Sequence, residues 1–331
     1  MQNIIIIGGA GFIGSRICNR LSTSNNKSFT VVDKVKSSLF SDNSIEADIR
    51  FPDSLNSDLI TGVAIINLAA EHHDDVEPLS LYDEVNVEGA RHVCDLARVK
   101  SINKIIFTSS VAVYGFAPVG INEFGKIAPF NDYGRTKWEA EQVYRQWQSE
   151  DSQNRTLVIV RPTVVFGERN RGNVFNLFKQ VASSKFVMVG DGLNRKSIAY
   201  VENIAAFLEY SLDFKPGLHV FNYVDKPDFT MNDLVAHINT LLGKSAEIKC
   251  RIPLVLGVLV GKFFDFVAKI IGKKLPVSAI RVKKFCVNSV YESAVDSTGF
   301  IPPVPLMEAI EKTVRYEFIE DHKVEQVFYS E

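Results

Sequence analysis

The chain opens on an unbroken apolar run, Ile4-Ile5-Ile6-Ile7, followed at once by the glycine-punctuated stretch Gly8-Gly9-Ala10-Gly11-Phe12-Ile13-Gly14. β-branched residues with no polar alternation predict a strand covered on both faces, as in the middle of a parallel sheet. Phe12 to Leu21 then carries helical spacing. Further short apolar runs follow at Phe29-Thr30-Val31-Val32-Asp33, Ala64–Leu68, Lys104–Thr108 and Thr156–Val160, with helix-like stretches at Asn86–Val99 and Thr136–Gln148. Such alternation predicts an α/β, doubly wound parallel sheet. Beyond Arg161 the pattern breaks at Pro162, Gly167, Gly172, Gly190 and Gly192, and Met231–Leu242 reads as a small helix. Residues 1–165 are therefore expected to form a dinucleotide-binding domain of Rossmann type. Residues 166–331 are expected to be mainly a substrate-binding region, interleaved with the end of the sheet.

The glycines carry the first chemistry. Gly8, Gly11 and Gly14 permit a tight turn, close approach of the backbone to a pyrophosphate, and close packing of helix on strand. The helix opened by Phe12 and Ile13 would turn its free N-terminal amides toward the phosphates. Asp33 ends the second strand 19 positions beyond Gly14, where a carboxylate accepts hydrogen bonds from the adenosine ribose hydroxyls. A 2′-phosphate would meet like charge there, so NAD(H) is the preferred cofactor. Lys34 alongside keeps NADP(H) open.

Charge removes some classes. With 37 basic and 39 acidic residues and a net charge of −2, the chain offers no overall basic field for nucleic acid. Cys18, Cys94, Cys250 and Cys286 show no C-x-x-C spacing, which argues against zinc or a disulfide framework and fits a reduced cytoplasmic setting. The chain starts on the cofactor strand, so no signal peptide is expected. Glu71-His72-His73-Asp74-Asp75 lacks ligand spacing and reads as a polar loop near the cofactor; no metal is expected. Ile252–Ile271 is strongly apolar, but Lys262, Asp265 and Lys269 argue against a spanning segment. An amphipathic, mostly buried helix is expected there, with loose attachment to a membrane surface as the alternative.

Tyr133 and Lys137 stand at i and i+4, one helical turn apart on the same face. An ammonium beside the phenol favours phenolate and lowers its pKa, which suits Tyr133 to general acid–base work between a hydroxyl and a ketone. Ser110, in Thr108-Ser109-Ser110-Val111-Ala112-Val113-Tyr114-Gly115, follows a strand. It therefore lies at the carboxyl edge of the sheet, in reach of the same substrate oxygen.

These motifs, with Asp48-Ile49, Leu68-Ala69-Ala70, Asn86 and Arg161-Pro162-Thr163, resemble the extended short-chain dehydrogenase/reductase family over nearly the whole chain. The resemblance implies that Ser110, Tyr133 and Lys137 are catalytic, with Lys137 also binding the nicotinamide ribose. It implies that Asp48 and Ile49 flank adenine, that Leu68, Ala69 and Ala70 line the cofactor channel, and that Asn86 gives structural support.

The second half resembles nucleotide-sugar 4-epimerases and 4-ketoreductases. From that resemblance, Asn173 and either Arg195 or Lys196, after the Gly190-Asp191-Gly192 turn, are expected to hold a substrate diphosphate. Arg281 is a further candidate. Asn67 departs from the family, which often has histidine there. The resulting expectation is an NAD(H)-dependent reductase of a nucleoside-diphosphate 4-keto-6-deoxyhexose, of the kind used in surface-polysaccharide sugar synthesis. The alternatives are a UDP-hexose 4-epimerase, a 3β-hydroxysteroid-dehydrogenase-like enzyme, and an NAD-binding scaffold without catalysis. A homodimer through the Asn86–Val99 and Thr136–Gln148 segments is also implied.

Overall fold

The structure is a computed structural model that describes residues 2–73, 76–271, 279–322 and 326–329. Its strands are β1 (Gln2–Ile7), β2 (Lys27–Asp33), β3 (Ser44–Glu46), β4 (Ala64–Asn67), β5 (Lys104–Thr108), β6 (Thr156–Pro162), β7 (Val164–Phe166), β8 (Met188–Val189), β9 (Arg195–Tyr200), β10 (Gly217–Tyr223), β11 (Asp225–Thr230) and β12 (Arg251–Ile252). Seven of them form one sheet in the order β10-β6-β5-β4-β1-β2-β3, and every pairing within it is parallel. The order reverses between β1 and β4, which opens a crevice above their carboxyl ends.

The four isoleucines explain why β1 sits in the middle. Ile4 and Ile6 enter one core with Ile17, Val31 and Phe207, whereas Ile5 and Ile7 enter the other with Val93, Phe107 and Trp147. Successive side chains point to opposite faces, so an uninterrupted apolar run suits a strand with helices above and below. The helix Phe12–Ser22 covers the first face, and the helices Gly89–Val99 and Asp132–Ser149 cover the second. The helix predicted from Asn86 begins earlier, at Ser80, and passes through a wide π-type turn at Asp83–Glu88. Turns of that kind recur at functional sites.

A second layer is built on β11, β9 and β7. The helices Asn173–Ala182, Met231–Leu241 and Leu306–Phe318 close a third core over it, around Phe178, Tyr200, Leu234 and Ile310.

One expectation is corrected. The apolar segment does form a helix, Leu254–Ile271, but it is not mostly buried. Its large side chains face solvent, with Val255 72%, Phe263 63% and Phe266 63% exposed. No helix among the described residues is long and apolar enough to cross a membrane.

Candidate active site

The wall expected to hold the cofactor is formed by the turn after β1. Gly8 has φ +77°, and a Cβ there would lie 2.6 Å from the Ala69 amide nitrogen. A Cβ on Gly14 would come within 2.5 Å of the Gly8 carbonyl. The loop after β4 thus crosses directly over the glycine turn, and only glycine allows it. Gly11 is the exposed member and caps the helix Phe12–Ser22, whose first amides receive no side-chain cap. Uncapped amides at a helix N-terminus, under a backbone too close for any Cβ, fit a pyrophosphate. The side chains of Phe12 and Ile13 are engaged in packing: the Phe12 ring packs on Phe328 at 5.7 Å, and Ile13 packs against the core. Asp33 accepts from the Ala10 N–H at 3.0 Å and the Val35 N–H at 3.3 Å. Burial pushes its carboxyl up, against the pull of those amides and of Lys34.

The other predicted cofactor residues are placed unevenly. Leu68 and Ala69 run along the crevice: the Leu68 N–H donates to the Ile7 carbonyl at 2.8 Å and the Ala69 N–H to Asn67 Oδ1 at 3.1 Å. Ala70 continues the same loop. Asn67, the departure from the family pattern, also donates to the Tyr144 hydroxyl at 2.6 Å, which ties this loop to the helix Asp132–Ser149. Ile49 is buried in the core, so its side chain serves packing. Asp48 is half-buried and is gripped by Arg50 at 2.6 Å. Burial opposes its charge, but the guanidinium prevails and holds the carboxyl below its usual range.

Ser110 and Tyr133 are brought together. Ser110 follows β5, and its hydroxyl accepts from the Ala112 N–H at 3.1 Å. Asn131 Oδ1 accepts from the Gly134 N–H at 3.0 Å and so starts the helix that carries Tyr133. A Cβ on Gly134 would lie 2.5 Å from the Ala112 carbonyl, so glycine after Tyr133 lets the two segments close. The Tyr133 phenol stands near the Ser110 hydroxyl, whose polarity favours the ionised phenol. Asn86 supports the arrangement. It holds both the N–H and the carbonyl of Glu71, at 2.9 and 3.0 Å, and donates to the Thr136 hydroxyl at 2.9 Å.

Lys137 is where spacing misleads. Burial raises the Tyr133 phenol above its ordinary value, relieved by Ser110 and worsened by Tyr82. The expected lowering by Lys137 does not prevail. Lys137 is itself buried, with its ammonium 4.3 Å from the Phe107 ring centroid, and burial brings its pKa down to about 7 despite the Glu141 carboxylate. The stability consequence has a definite sign. The unfolded chain keeps this proton to near 10.5 while the folded one releases it above about 7. Between those values stability from this group rises with pH, by up to about 1.4 kcal/mol per unit. Below pH 7 a charged ammonium stays buried and the contribution is at its lowest. We therefore expect urea midpoints of NAD-free protein to climb between pH 7 and 9 more steeply for wild type than for Lys137→Met; parallel profiles would contradict it.

Sequence reasoning missed the polar network behind these residues. Glu141, one further turn along the row of Tyr133 and Lys137, is fully buried. It accepts from Ser109 Oγ at 2.7 Å and from Arg161 Nε and Nη2 at 2.8 and 2.6 Å. Arg161 Nη1 donates to the Tyr114 hydroxyl at 2.6 Å, which donates to Asn222 Oδ1 at 2.8 Å. The carboxylate in that i, i+4 row was the available signal.

The expected diphosphate residues lie in the second layer. Asn173 is the exposed first residue of the helix Asn173–Ala182. Arg195 is exposed at the start of β9, and Lys196 donates to the Val287 carbonyl at 2.6 Å and the Ser289 hydroxyl at 3.3 Å. Burial lowers the Lys196 ammonium to about 8. Arg281 falls on the helix Ala279–Cys286, with its side chain outside what the structure describes. Glu71, His72 and His73 bring one possible ligand atom each to within 4.8 Å of one another, and the two imidazoles stack at 4.6 Å. Asp74 and Asp75 lie outside the described residues.

The architecture has many solved counterparts. UDP-N-acetylglucosamine 4-epimerase from Bacillus cereus superposes with a TM-score of 0.73 at 15% identity, covering 95% of this chain and 98% of that one. Among curated proteins, the N-acetyl-alpha-D-glucosaminyl-diphospho-ditrans,octacis-undecaprenol 4-epimerase of Escherichia coli O157:H7 is 44% identical over 100% of this chain and 99% of its own length. UDP-glucose 4-epimerase of Vibrio cholerae is 26% identical over 95% of each. The family model for NAD dependent epimerases and dehydratases matches residues 4–222, a span that runs from β1 through the glycine turn and Tyr133 to the strand β10. The chain is an enzyme of the NAD dependent epimerase/dehydratase family.

Proposed function

We propose that this enzyme inverts C4 of an N-acetylhexosamine carried on a diphosphate, with a polyprenol as the carrier. The observation that carries the reading is the Ser110–Tyr133 pair at the sheet edge, taken with 44% identity, end to end, to an epimerase of that substrate. The ketoreductase that the sequence led us to expect has no such support, and the epimerase alternative takes its place. Bound NAD supplies a hydride acceptor and donor and a cationic ring. The residues of the chain do the rest. Tyr133, as phenolate, takes the proton from the C4 hydroxyl while Ser110 donates a hydrogen bond to the same oxygen. After the sugar turns its other face, Tyr133 returns the proton. Asn86 and Asn131 fix where that phenol stands. Arg195, Lys196 and Asn173 supply cationic and amide donors for the diphosphate.

Purified enzyme is expected to interconvert the two C4 epimers of the diphospho-sugar, polyprenol-linked or UDP-linked, without net change in NADH absorbance. Stoichiometric oxidation of NADH with a 4-keto sugar would restore the ketoreductase. A homodimer through Gly89–Val99 and Asp132–Ser149 belongs to the same proposal, supported by an open groove between the two helices, lined by Val87, Arg91, Trp138 and Gln142 among others. Sedimentation as a monomer would remove it.

A further inference from the structure

The helix Leu254–Ile271 is built inside out for a soluble protein. A Cβ on Gly257 would lie 2.5 Å from Val189 Cγ1, and Gly261, one turn on, is buried, so the small residues face the body of the molecule. The large ones face away. Val255, Leu259, Phe263 and Phe266 are 72, 56, 63 and 63% exposed. Spacings of four, four and three place them on one face, a stripe about 17 Å long at 1.5 Å per residue. The helix Ala279–Cys286 packs alongside and adds Ile280, 50% exposed; its start is tied back by the Ala279 N–H donating to Asp265 at 3.1 Å. A continuous apolar patch of this kind marks an interaction surface.

Charge selects the occupant. Between residues 262 and 284 the sequence has seven basic residues and only one acidic one, Asp265, although the chain as a whole is slightly acidic. Lys262, Lys269 and Lys283 are exposed. A second copy meeting this face across a two-fold axis would set like charge against like charge. An anionic lipid surface complements both the stripe and its lysines.

The position is informative too. The strand β12 runs directly into the helix and pairs with β8, next to the Gly190-Asp191-Gly192 turn. Arg251 donates to the Asp191 carbonyl at 3.0 Å, and Asn194 donates to the Phe285 carbonyl at 2.7 Å. The base of the helix pair is therefore hydrogen-bonded to the segment that carries Arg195 and Lys196.

We infer that these two helices form a membrane-docking surface that seats the enzyme on anionic phospholipid, with its diphosphate-binding strand beside the bilayer. Docking stands on the helices alone; delivery of a lipid-carried diphospho-sugar to the site rests on the proposed function.

The full-length enzyme is expected to co-sediment with vesicles of phosphatidylglycerol and phosphatidylethanolamine but weakly with phosphatidylcholine, and to be released by salt. Phe263→Glu with Phe266→Glu should cut vesicle binding about tenfold or more, with NAD content and epimerisation of detergent-dispersed substrate unchanged. Lys262→Glu with Lys269→Glu, which leaves the apolar stripe intact, should abolish the preference for phosphatidylglycerol. Wild type remaining in the supernatant, or a dimer that the phenylalanine variant dissociates without any vesicle binding, would overturn the inference. If vesicles bind but no epimer forms in detergent, the proposed function fails and the docking surface stands.

Discussion

Tyr133→Phe is expected to lower kcat by about a hundred- to ten-thousandfold, the range spanned by a positioned acid–base group, while NAD content and thermal stability stay close to wild type. The substitution removes one oxygen. The ring keeps its half-buried place at the start of Asp132–Ser149, where Asn131 still caps the helix, so no packing is lost. What disappears is the only atom of that side chain that can hold the C4 hydroxyl proton. Ser110→Ala should cost less and act differently. Removing the one hydroxyl that lowers the phenol drives its pKa up further, so the rise of kcat/KM with pH moves to higher pH. Product analysis of epimer ratios over time, at several pH values, checks both. A Tyr133→Phe enzyme within about threefold of wild type, far outside the general acid–base range, would remove this residue from the chemistry.

The two halves of this chain differ in how much their sequence discloses, for a physical reason. β1 is legible because a parallel strand covered on both sides has no choice but to be apolar throughout, and its isoleucines divide between two cores as that requires. The glycine turn is legible because its close backbone approach admits no Cβ, and Asp33 stands at its edge, accepting from the Ala10 N–H. Tyr133 and Ser110 are legible as positions, since helix periodicity and the end of a strand fix where they point. Their electrostatics are not. The same i, i+4 spacing that promises a charged lysine beside a phenol says nothing of how deeply both are buried, and burial reverses the expected shift. The helix Leu254–Ile271 failed for a related reason: an apolar sequence states that a face avoids water, not whether protein or lipid covers it. Glu141 and Arg161, twenty residues apart in sequence, meet only because β6 lies beneath the helix Asp132–Ser149.

Arg161→Met is expected to destabilise the fold by about 3–5 kcal/mol, because it leaves the Glu141 carboxylate buried without its bidentate partner. The side chains of Arg161 and Glu141 are 2 and 0% exposed, with Nη2 to Oε2 at 2.6 Å. Arg145 approaches the same carboxylate at 3.6 Å from a more exposed position, which places the loss toward the lower end of that range. Two charges removed together should cost much less than the two losses summed. In Glu141→Leu/Arg161→Met neither member of the buried pair is left charged without the other, the more exposed Arg145 loses its distant carboxylate, and the methylene-rich side chains fill similar volumes, an exchange that is often near neutral. Tyr114 keeps Asn222 as its acceptor in that variant, while Ser109 loses its acceptor and the Glu123 carbonyl its Arg161 donor. The coupling from the four denaturation curves should therefore reach about 2 kcal/mol or more. The double variant should also hold Lys137 more weakly protonated than wild type, since Glu141 is the charge that raises its pKa, which shifts the pH dependence of kcat to lower pH without changing KM for NAD. Additive losses in the cycle would show that Glu141 and Arg161 act separately, and would leave Ser109 and Tyr114 as the contacts that hold the helix Asp132–Ser149 to the sheet.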